Sequence, residues 1–310
     1  MTSLIGPDGR IRSDDEALEE VTRALSSDAE VASIVQDIGS RHDAKGAFGL
    51  LIPARLRTDG RDVLIKVNAT EHERRWLAAI AEVDPSVVPA TFGDGPGFGD
   101  VSLGWMVVER LPFQPPGFGA PEWYRPLVRA SFLWRAAGAR VTAEPLHAID
   151  GPWLTNWLDQ AVVLDATDDL RVLRDRFDDD WAWAREVCGP DEPAHGDVHF
   201  FNAGSREPGV PEALVLFDPI PRSAPWPYDA ANCETLTNYA EVAPGREPLV
   251  VTAARDRRER GLPVPDAESV GRLSRLWCAW LAVMWRVLFQ RFAPERIDLA
   301  ARYVERAVRA

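Results

Sequence analysis

The sequence predicts an α+β protein of two unequal lobes, a small sheet-rich one followed by a larger, mostly helical one. Three observations lead there. Short apolar runs and a hairpin signal crowd the first third of the chain. A proline and glycine cluster interrupts it at 111–119. Long stretches with helical spacing fill the remainder. At 310 residues, 46% hydrophobic and 27% charged, the chain has the composition of a folded protein of one or two domains. The expected division is 1–110 and 111–310.

Taken in order, residues 14–25 predict a helix capped by Ser13, with Ala17, Leu18, Val21 and Leu25 on one face. Apolar runs at 47–56 and 63–67 flank Asp59-Gly60, a hairpin signal. Trp76, Leu77 and Ile80 give 70–82 helical spacing, with Asn68 or Thr70 as the cap. A short strand at 105–108 precedes the proline cluster. Beyond it, helical patterns run over 122–149, 153–187 and 267–309, interrupted by strand-like pieces at 200–203 and 213–217. The most apolar stretch, 276–289, carries Arg286. It is shorter than the roughly 20 uncharged residues of a membrane span, so it reads as a buried helix.

Composition excludes several classes. A net charge of −13 argues against a nucleic-acid binder living on phosphate contacts. Cys188, Cys233 and Cys278 are too few and scattered for a disulfide framework or a zinc ribbon. The opening residues lack the apolar core of a secretory signal, so a cytoplasmic protein without a membrane partner is expected. Only two of the 35 basic residues are lysines, Lys45 and Lys66, and both fall near Gly46 and Gly49. A lysine is a compact point charge on a flexible stem, suited to reaching a phosphate.

The chemistry concentrates in His195-Gly196-Asp197-Val198-His199-Phe200-Phe201-Asn202, followed by Leu216-Phe217-Asp218-Pro219. Phosphoryl transfer needs a carboxylate to orient a hydroxyl and oxygen ligands for Mg²⁺. Asp197, Asn202 and Asp218 supply that set. A strand lysine and a glutamate on the next helix would fix the α- and β-phosphates, and Lys66 and Glu73 fit, with Glu71 as the rival acid. A different reading takes His195, Asp197 and His199 as three ligands on one strand face, which would suggest a metallohydrolase. Such a site needs further ligands, and His42, His72 and His147 lack motif context.

These motifs, in this order, resemble the aminoglycoside phosphotransferases, a family of kinase-like small-molecule kinases. The pattern is nearest the branch with streptomycin and hydroxyurea kinases. The resemblance spans about residues 45–235 and implies a bilobal protein-kinase-like fold, with a five-stranded antiparallel sheet within about 30–108 and a helical lobe over about 117–310. It implies Mg²⁺ and ATP or GTP as cofactors, Asp197 as catalytic base, Asn202 and Asp218 as metal ligands, and Lys66 with Glu73 as the phosphate-positioning pair. A hinge at Glu109-Arg110-Leu111 would pair with the purine through the backbone of Glu109 and Leu111. Leu146-His147 resembles the family's turn ending a helix before the loop, and Tyr228-Asp229-Ala230-Ala231 its helix start after the metal aspartate. The implied reaction moves the γ-phosphate to a hydroxyl of a small molecule, an aminoglycoside-type antibiotic in a resistance kinase.

Other kinases on this scaffold act on amino sugars, hydroxy amino acids or choline-like alcohols. A catalytically silent nucleotide binder would lack the lysine, the base or the metal aspartate, and all three are present. The chain departs from the family at Phe201, where glycine or proline is usual, and after Asp218-Pro219. The 40–46 segment is the candidate phosphate loop, without a Gly-x-Gly-x-x-Gly pattern. Residues 151–200 hold twelve acidic and four basic side chains. They form either a solvated helix face or an acidic wall that draws a polycationic substrate. Trp153, Trp157, Trp181 and Trp183 border that stretch as core residues or as a platform for a sugar ring.

Overall fold

The computed structural model describes residues 15–39, 44–45, 50–117, 119–141, 145–165, 167–290 and 296–309. Ser13, His42 and most of the 40–46 segment lie outside the described residues. The chain divides into two compact units, Met1–Pro112 and Phe113–Ala310.

The first unit runs α1 (Asp15–Ser27), α2 (Ala29–Ile34), β1 (Val35–Gln36), β2 (Ala44–Lys45), β3 (Leu50–Leu56), β4 (Asp62–Val67), α3 (Glu71–Val83), β5 (Thr91–Gly95) and β6 (Trp105–Glu109). Its antiparallel sheet has the order β1-β3-β4-β6-β5, with β2 also on β3. That makes six strands where five were expected. Two of them, β1 and β2, are only two residues long and too short to carry alternation.

Period-two alternation builds the core. Leu50, Ile52, Ala54 and Leu56 share one face with Val63, Ile65 and Val67, and with Trp105 and Val107. Ala17, Leu18, Val21 and Leu25 of α1 pack into the same cluster, the face that the helical spacing predicts. Lys66, between Ile65 and Val67, is thereby turned to the opposite face. Thr70, not Asn68, caps α3: its hydroxyl accepts the Glu73 N–H at 3.1 Å.

The second unit runs α4 (Tyr124–Gly138), β7 (His147–Ala148), α5 (Gly151–Leu164), α6 (Asp168–Asp175), α7 (Phe177–Cys188), β8 (Glu192–Ala194), β9 (Ala203–Ser205), β10 (Leu214–Leu216), β11 (Arg222–Ala224), α8 (Tyr228–Leu236), α9 (Tyr239–Val242), α10 (Leu249–Glu259), α11 (Ala267–Phe289) and α12 (Arg296–Arg309). The helical patterns are interrupted where local caps outweigh periodicity. Thr167 accepts the Leu170 N–H at 3.3 Å and starts α6, so 153–187 is three helices rather than one. Asp266 accepts from the Ser269 N–H at 2.8 Å and starts α11. The 267–309 pattern is likewise two helices, α11 and α12.

The predicted helix over 122–149 stops at Gly138, and Leu146-His147 does not end it. His147 instead pairs in parallel with Arg222, so the segment is extended by a partner far away in sequence. Phe200–Asn202 is a single 3₁₀ turn rather than a strand, with β9 beginning at Ala203. The apolar stretch of α11 is buried from Leu276 to Met284, Trp277 and Trp280 completely, and α11 packs against α5, α8, α10 and α12; Leu288 near its end is exposed. Its Arg286 meets Asp165 at 2.6 Å. Among the described residues no helix is long and apolar enough to cross a membrane.

Candidate active site

In the second unit the 195–202 loop leaves β8 and enters β9, while Asp218 follows β10, the partner strand of β9. The Phe217 N–H donates to the Asn202 carbonyl at 3.0 Å, which ties the two segments together next to Asp218. Asp218 has φ +57°, the left-handed region that Asp tolerates better than most residues. Phe200 anchors the loop from below: it is buried, edge-on to Tyr124 with ring centroids 4.7 Å apart. Its neighbour Phe201 is 64% exposed.

Three contacts fix Asp197 and Asn202. The Asn202 amide nitrogen donates to the Asp197 carbonyl at 3.0 Å and to its carboxylate Oδ2 at 2.8 Å. That orientation turns the Asn202 side-chain oxygen away from Asp197. The Asp197 N–H donates to His195 Nδ1 at 3.3 Å. His195 is completely buried, and burial holds its pKa below the usual imidazole value although Asp229, Asp197 and Asp218 pull it upward. Residues 195–199 do not form a strand, so His195, Asp197 and His199 are not a one-face ligand set. The Nδ1 atoms of both histidines accept backbone N–H groups of the loop itself. Among the described residues no cluster of three His, Cys, Asp or Glu side chains could hold a metal.

Beneath the loop lies a buried charge network to which the sequence assigned no role. The Asp229 carboxylate accepts the N–H groups of His195 and Gly196 at 3.1 and 3.0 Å. Arg135 pairs with Asp229 at 3.2 Å and donates to the Ala224 carbonyl at 2.9 Å. Glu192, 3.5 Å from Arg135, receives a bidentate pair of 2.9 Å bonds from Arg257. Asn232 donates to the Gly196 carbonyl at 3.3 Å and accepts from the Trp285 indole at 3.1 Å. Tyr228-Asp229 was visible as a helix start; Arg135, Glu192 and Arg257 carry no local signal.

In the first unit, Lys66 Nζ lies 2.5 Å from Glu73 Oε1, and both side chains are largely buried. Glu71 instead forms an exposed pair with Arg75 at 2.5 Å, so Glu73 is the acid that meets Lys66. The fold accounts for the choice. β4 alternation aims Lys66 off the core face, and α3 places Glu73 one position before Arg74 on its buried side. Glu109 ends β6, where its N–H donates to the Ala90 carbonyl at 2.8 Å and its carboxylate accepts the Ala90 N–H at 3.1 Å. Leu111 stands two residues beyond the strand.

The acidic 151–200 stretch is largely engaged by arginines. Asp159 pairs with Arg174, Asp168 with Arg171 and Asp191 with Arg185. Other partners come from α10, α11 and α12: Arg257 for Glu192, Arg272 for Asp180 at 2.7 Å, Arg286 for Asp165 and Arg309 for Asp169. The four bordering tryptophans are all partly exposed, and Trp181 packs its ring against the buried Phe177, Trp277 and Trp280. Arg272 lies over Trp183 with its guanidinium carbon 3.9 Å from the ring centre.

No protein-family model and no curated protein matches the chain. Solved structures do match its fold. A Plasmodium vivax ethanolamine kinase is similar with a TM-score of 0.59 at 12% identity, over 96% of this chain and 90% of the other. A choline kinase from Cryptosporidium parvum gives 0.60 at 11% identity, over 94% and 96%. An aminoglycoside phosphotransferase from Alicyclobacillus acidocaldarius gives 0.53 at 16% identity, over 90% and 93%. The chain therefore has the bilobal, protein-kinase-like fold with a small antiparallel-sheet lobe and a larger helical one. It is the fold shared by aminoglycoside phosphotransferases and by choline and ethanolamine kinases, without distinguishing among those branches.

Proposed function

We propose that the protein is a Mg²⁺-dependent phosphotransferase that moves the γ-phosphate of ATP or GTP to a hydroxyl of a small molecule. The observation that carries the reading is the clasp of Asn202 on Asp197 at 2.8 Å, with Asp218 joined to the same loop through Phe217. Asp197 is the catalytic base. Its Oδ2 takes the Asn202 amide, which leaves Oδ1 to accept the acceptor hydroxyl's hydrogen bond and then its proton. The metal donors are all oxygens, the Asn202 amide oxygen and the Asp218 carboxylate, the set a hard divalent cation prefers. Bound Mg²⁺ supplies charge neutralisation on the phosphate oxygens. The first unit is the nucleotide-binding lobe: Lys66, held by Glu73, takes the α- and β-phosphates, and the backbone at Glu109 and Leu111 takes the purine edge. The second unit carries the base, the metal ligands and the acceptor.

The acceptor in this reading is an aminoglycoside-type antibiotic, which makes the protein a resistance kinase of the cytoplasm. Support comes from the ordered motifs, not from the acidic stretch, whose carboxylates are largely paired with arginines. That pairing favours a second reading, a metabolic kinase for an amino sugar, hydroxy amino acid or choline-like alcohol.

The test is nucleoside-diphosphate release from MgATP and MgGTP across aminoglycosides, amino sugars, hydroxyurea and small alcohols. Release should depend on one acceptor class. Asp197→Asn should abolish it while sparing nucleotide affinity, and Asp218→Asn should weaken Mg-nucleotide binding itself without disturbing the left-handed backbone. Turnover equal to wild type in Asp197→Asn would refute the assignment of the base.

A further inference from the structure

Two polar side chains of the 195–202 loop, His195 and His199, are left without a task by the proposed chemistry, and His199 is the one whose ring nitrogen lies beside the Asp197 carboxylate. It is the entry residue of the 3₁₀ turn, with φ −158° and ψ 172°, and this extended backbone swings the ring back along the loop. The Phe201 N–H donates to its Nδ1 at 3.2 Å. An imidazole nitrogen that accepts a hydrogen bond carries no proton, so the neutral ring is protonated at Nε2. That nitrogen lies 3.4 Å from Asp197 Oδ2, and the His199 side chain is only 16% exposed. The spacing is longer than a settled hydrogen bond, as pairs in substrate-free active sites commonly are.

His195 makes the contrast. Its Nδ1 is likewise spent on a backbone N–H, but its Nε2 has no hydrogen-bond partner among the described residues and its ring stands edge-on to Trp134. The two histidines flank Asp197 with opposite assignments. His195 holds the backbone, and His199 brings its Nε2 to 3.4 Å from the carboxylate.

We infer that His199 is a positioning residue for Asp197: its Nε2–H, fixed in that tautomer by the Phe201 N–H, serves Oδ2 as a second donor beside the Asn202 amide and keeps Oδ1 aimed at the acceptor hydroxyl. The inference rests on Asp197 acting as base. Two donors on one carboxylate oxygen fix both the plane of the group and which oxygen remains for chemistry. A single donor leaves the carboxylate free to rotate about χ2.

Two substitutions separate this role from simple capping. His199→Asn keeps an acceptor for the Phe201 N–H, since asparagine caps turns well, but it is too short to reach Asp197. His199→Gln extends an amide N–H towards Oδ2. The readouts are ADP release from MgATP, without acceptor and with whichever acceptor supports turnover, together with nucleotide affinity and the thermal midpoint. Expected is a 10–100-fold fall in kcat for His199→Asn, with KM and nucleotide affinity within about twofold of wild type, and substantial recovery in His199→Gln.

A spectroscopic arm needs no turnover. The ¹⁵N shifts of the His199 ring should report an Nε2-protonated neutral tautomer, and the Nε2 signal should move in Asp197→Asn. Wild-type kcat in His199→Asn, or an Nδ1-protonated ring, would overturn the inference. If Asp197→Asn keeps full turnover, the base assignment fails instead, whatever His199 does. The outcomes are therefore distinguishable.

Discussion

Lys66 Nζ and Glu73 Oε1 lie 2.5 Å apart, an ion pair formed by a strand and the helix that follows it, with both side chains nearly out of water. A buried pair of this kind costs desolvation on both partners, so its presence is weak evidence for stability and better evidence for a task.

Removing one partner should accordingly hurt in two ways. Lys66→Met and Glu73→Gln should each lower the unfolding free energy by about 1–3 kcal/mol, because each takes a charged partner from a largely buried side chain. The double variant should cost less than the sum of the two. If Lys66 takes phosphates, Lys66→Met should also weaken MgATP at least tenfold. Thermal unfolding and nucleotide titration on the four proteins decide it; additive losses would deny the coupling, and non-additive losses with unchanged nucleotide affinity would reduce the pair to structure.

Gly196 admits no side chain. Its φ is +84°, and a Cβ there would stand 1.9 Å from the Ile220 carbonyl oxygen, which belongs to backbone and cannot rotate away. Ile220 is itself held by its N–H on the His195 carbonyl at 2.9 Å. Gly196→Ala should destabilise by on the order of 2–4 kcal/mol and displace Asp197. Urea unfolding measures the first effect, and loss of turnover in the remaining folded protein the second.

Asp229 should prove as necessary as any residue of the loop, although it touches no substrate in the proposed chemistry. Asp229→Asn removes the charge that Arg135 faces in the interior and one of the acceptors for the His195 and Gly196 N–H groups. A loss of about 3 kcal/mol is expected in denaturant unfolding. Pairing the change with Arg135→Met should recover part of it, since the stranded guanidinium is then gone.

Glu234 gives a pH prediction outside the loop. It is buried under α10, where its carboxylate accepts the Leu249 N–H at 2.7 Å. Burial raises its pKa from 4.5 to about 7, against the opposing pull of Leu249, Cys278 and Arg306. A folded-state pKa above the unfolded one means that the native state holds the proton longer. The stabilisation is complete below pH 4.5 and is lost as pH rises through about 7, a change of about 3 kcal/mol. Glu234→Gln should flatten that slope and exceed wild type in stability at pH 8. Parallel pH profiles of the thermal midpoint in the two proteins would exclude Glu234 as the source.

Much of this molecule is legible in its sequence because the relevant signals are local. Period-two alternation in β3 and β4 gives the sheet face, and it also gives the sidedness of Lys66, since neighbours of Ile65 and Val67 must point the other way. Helical spacing in 70–82 separates Glu73 from Glu71 before any contact is known. The contiguous His195–Asn202 loop and the following Phe217-Asp218 name the candidate chemistry outright. Tertiary structure alone decides the partners of ordinary charged residues and the conformation of short segments. Asp165 and Asp180 read as solvated acids until Arg286 and Arg272 of α11 reach them. Glu192 and Arg257 stand 65 positions apart with nothing in either neighbourhood to link them, and His147 is extended only because Arg222 is there to pair with it. The reason is physical: periodicity records which face of an element is apolar, whereas a charge looks the same in sequence whether water or a distant arginine surrounds it.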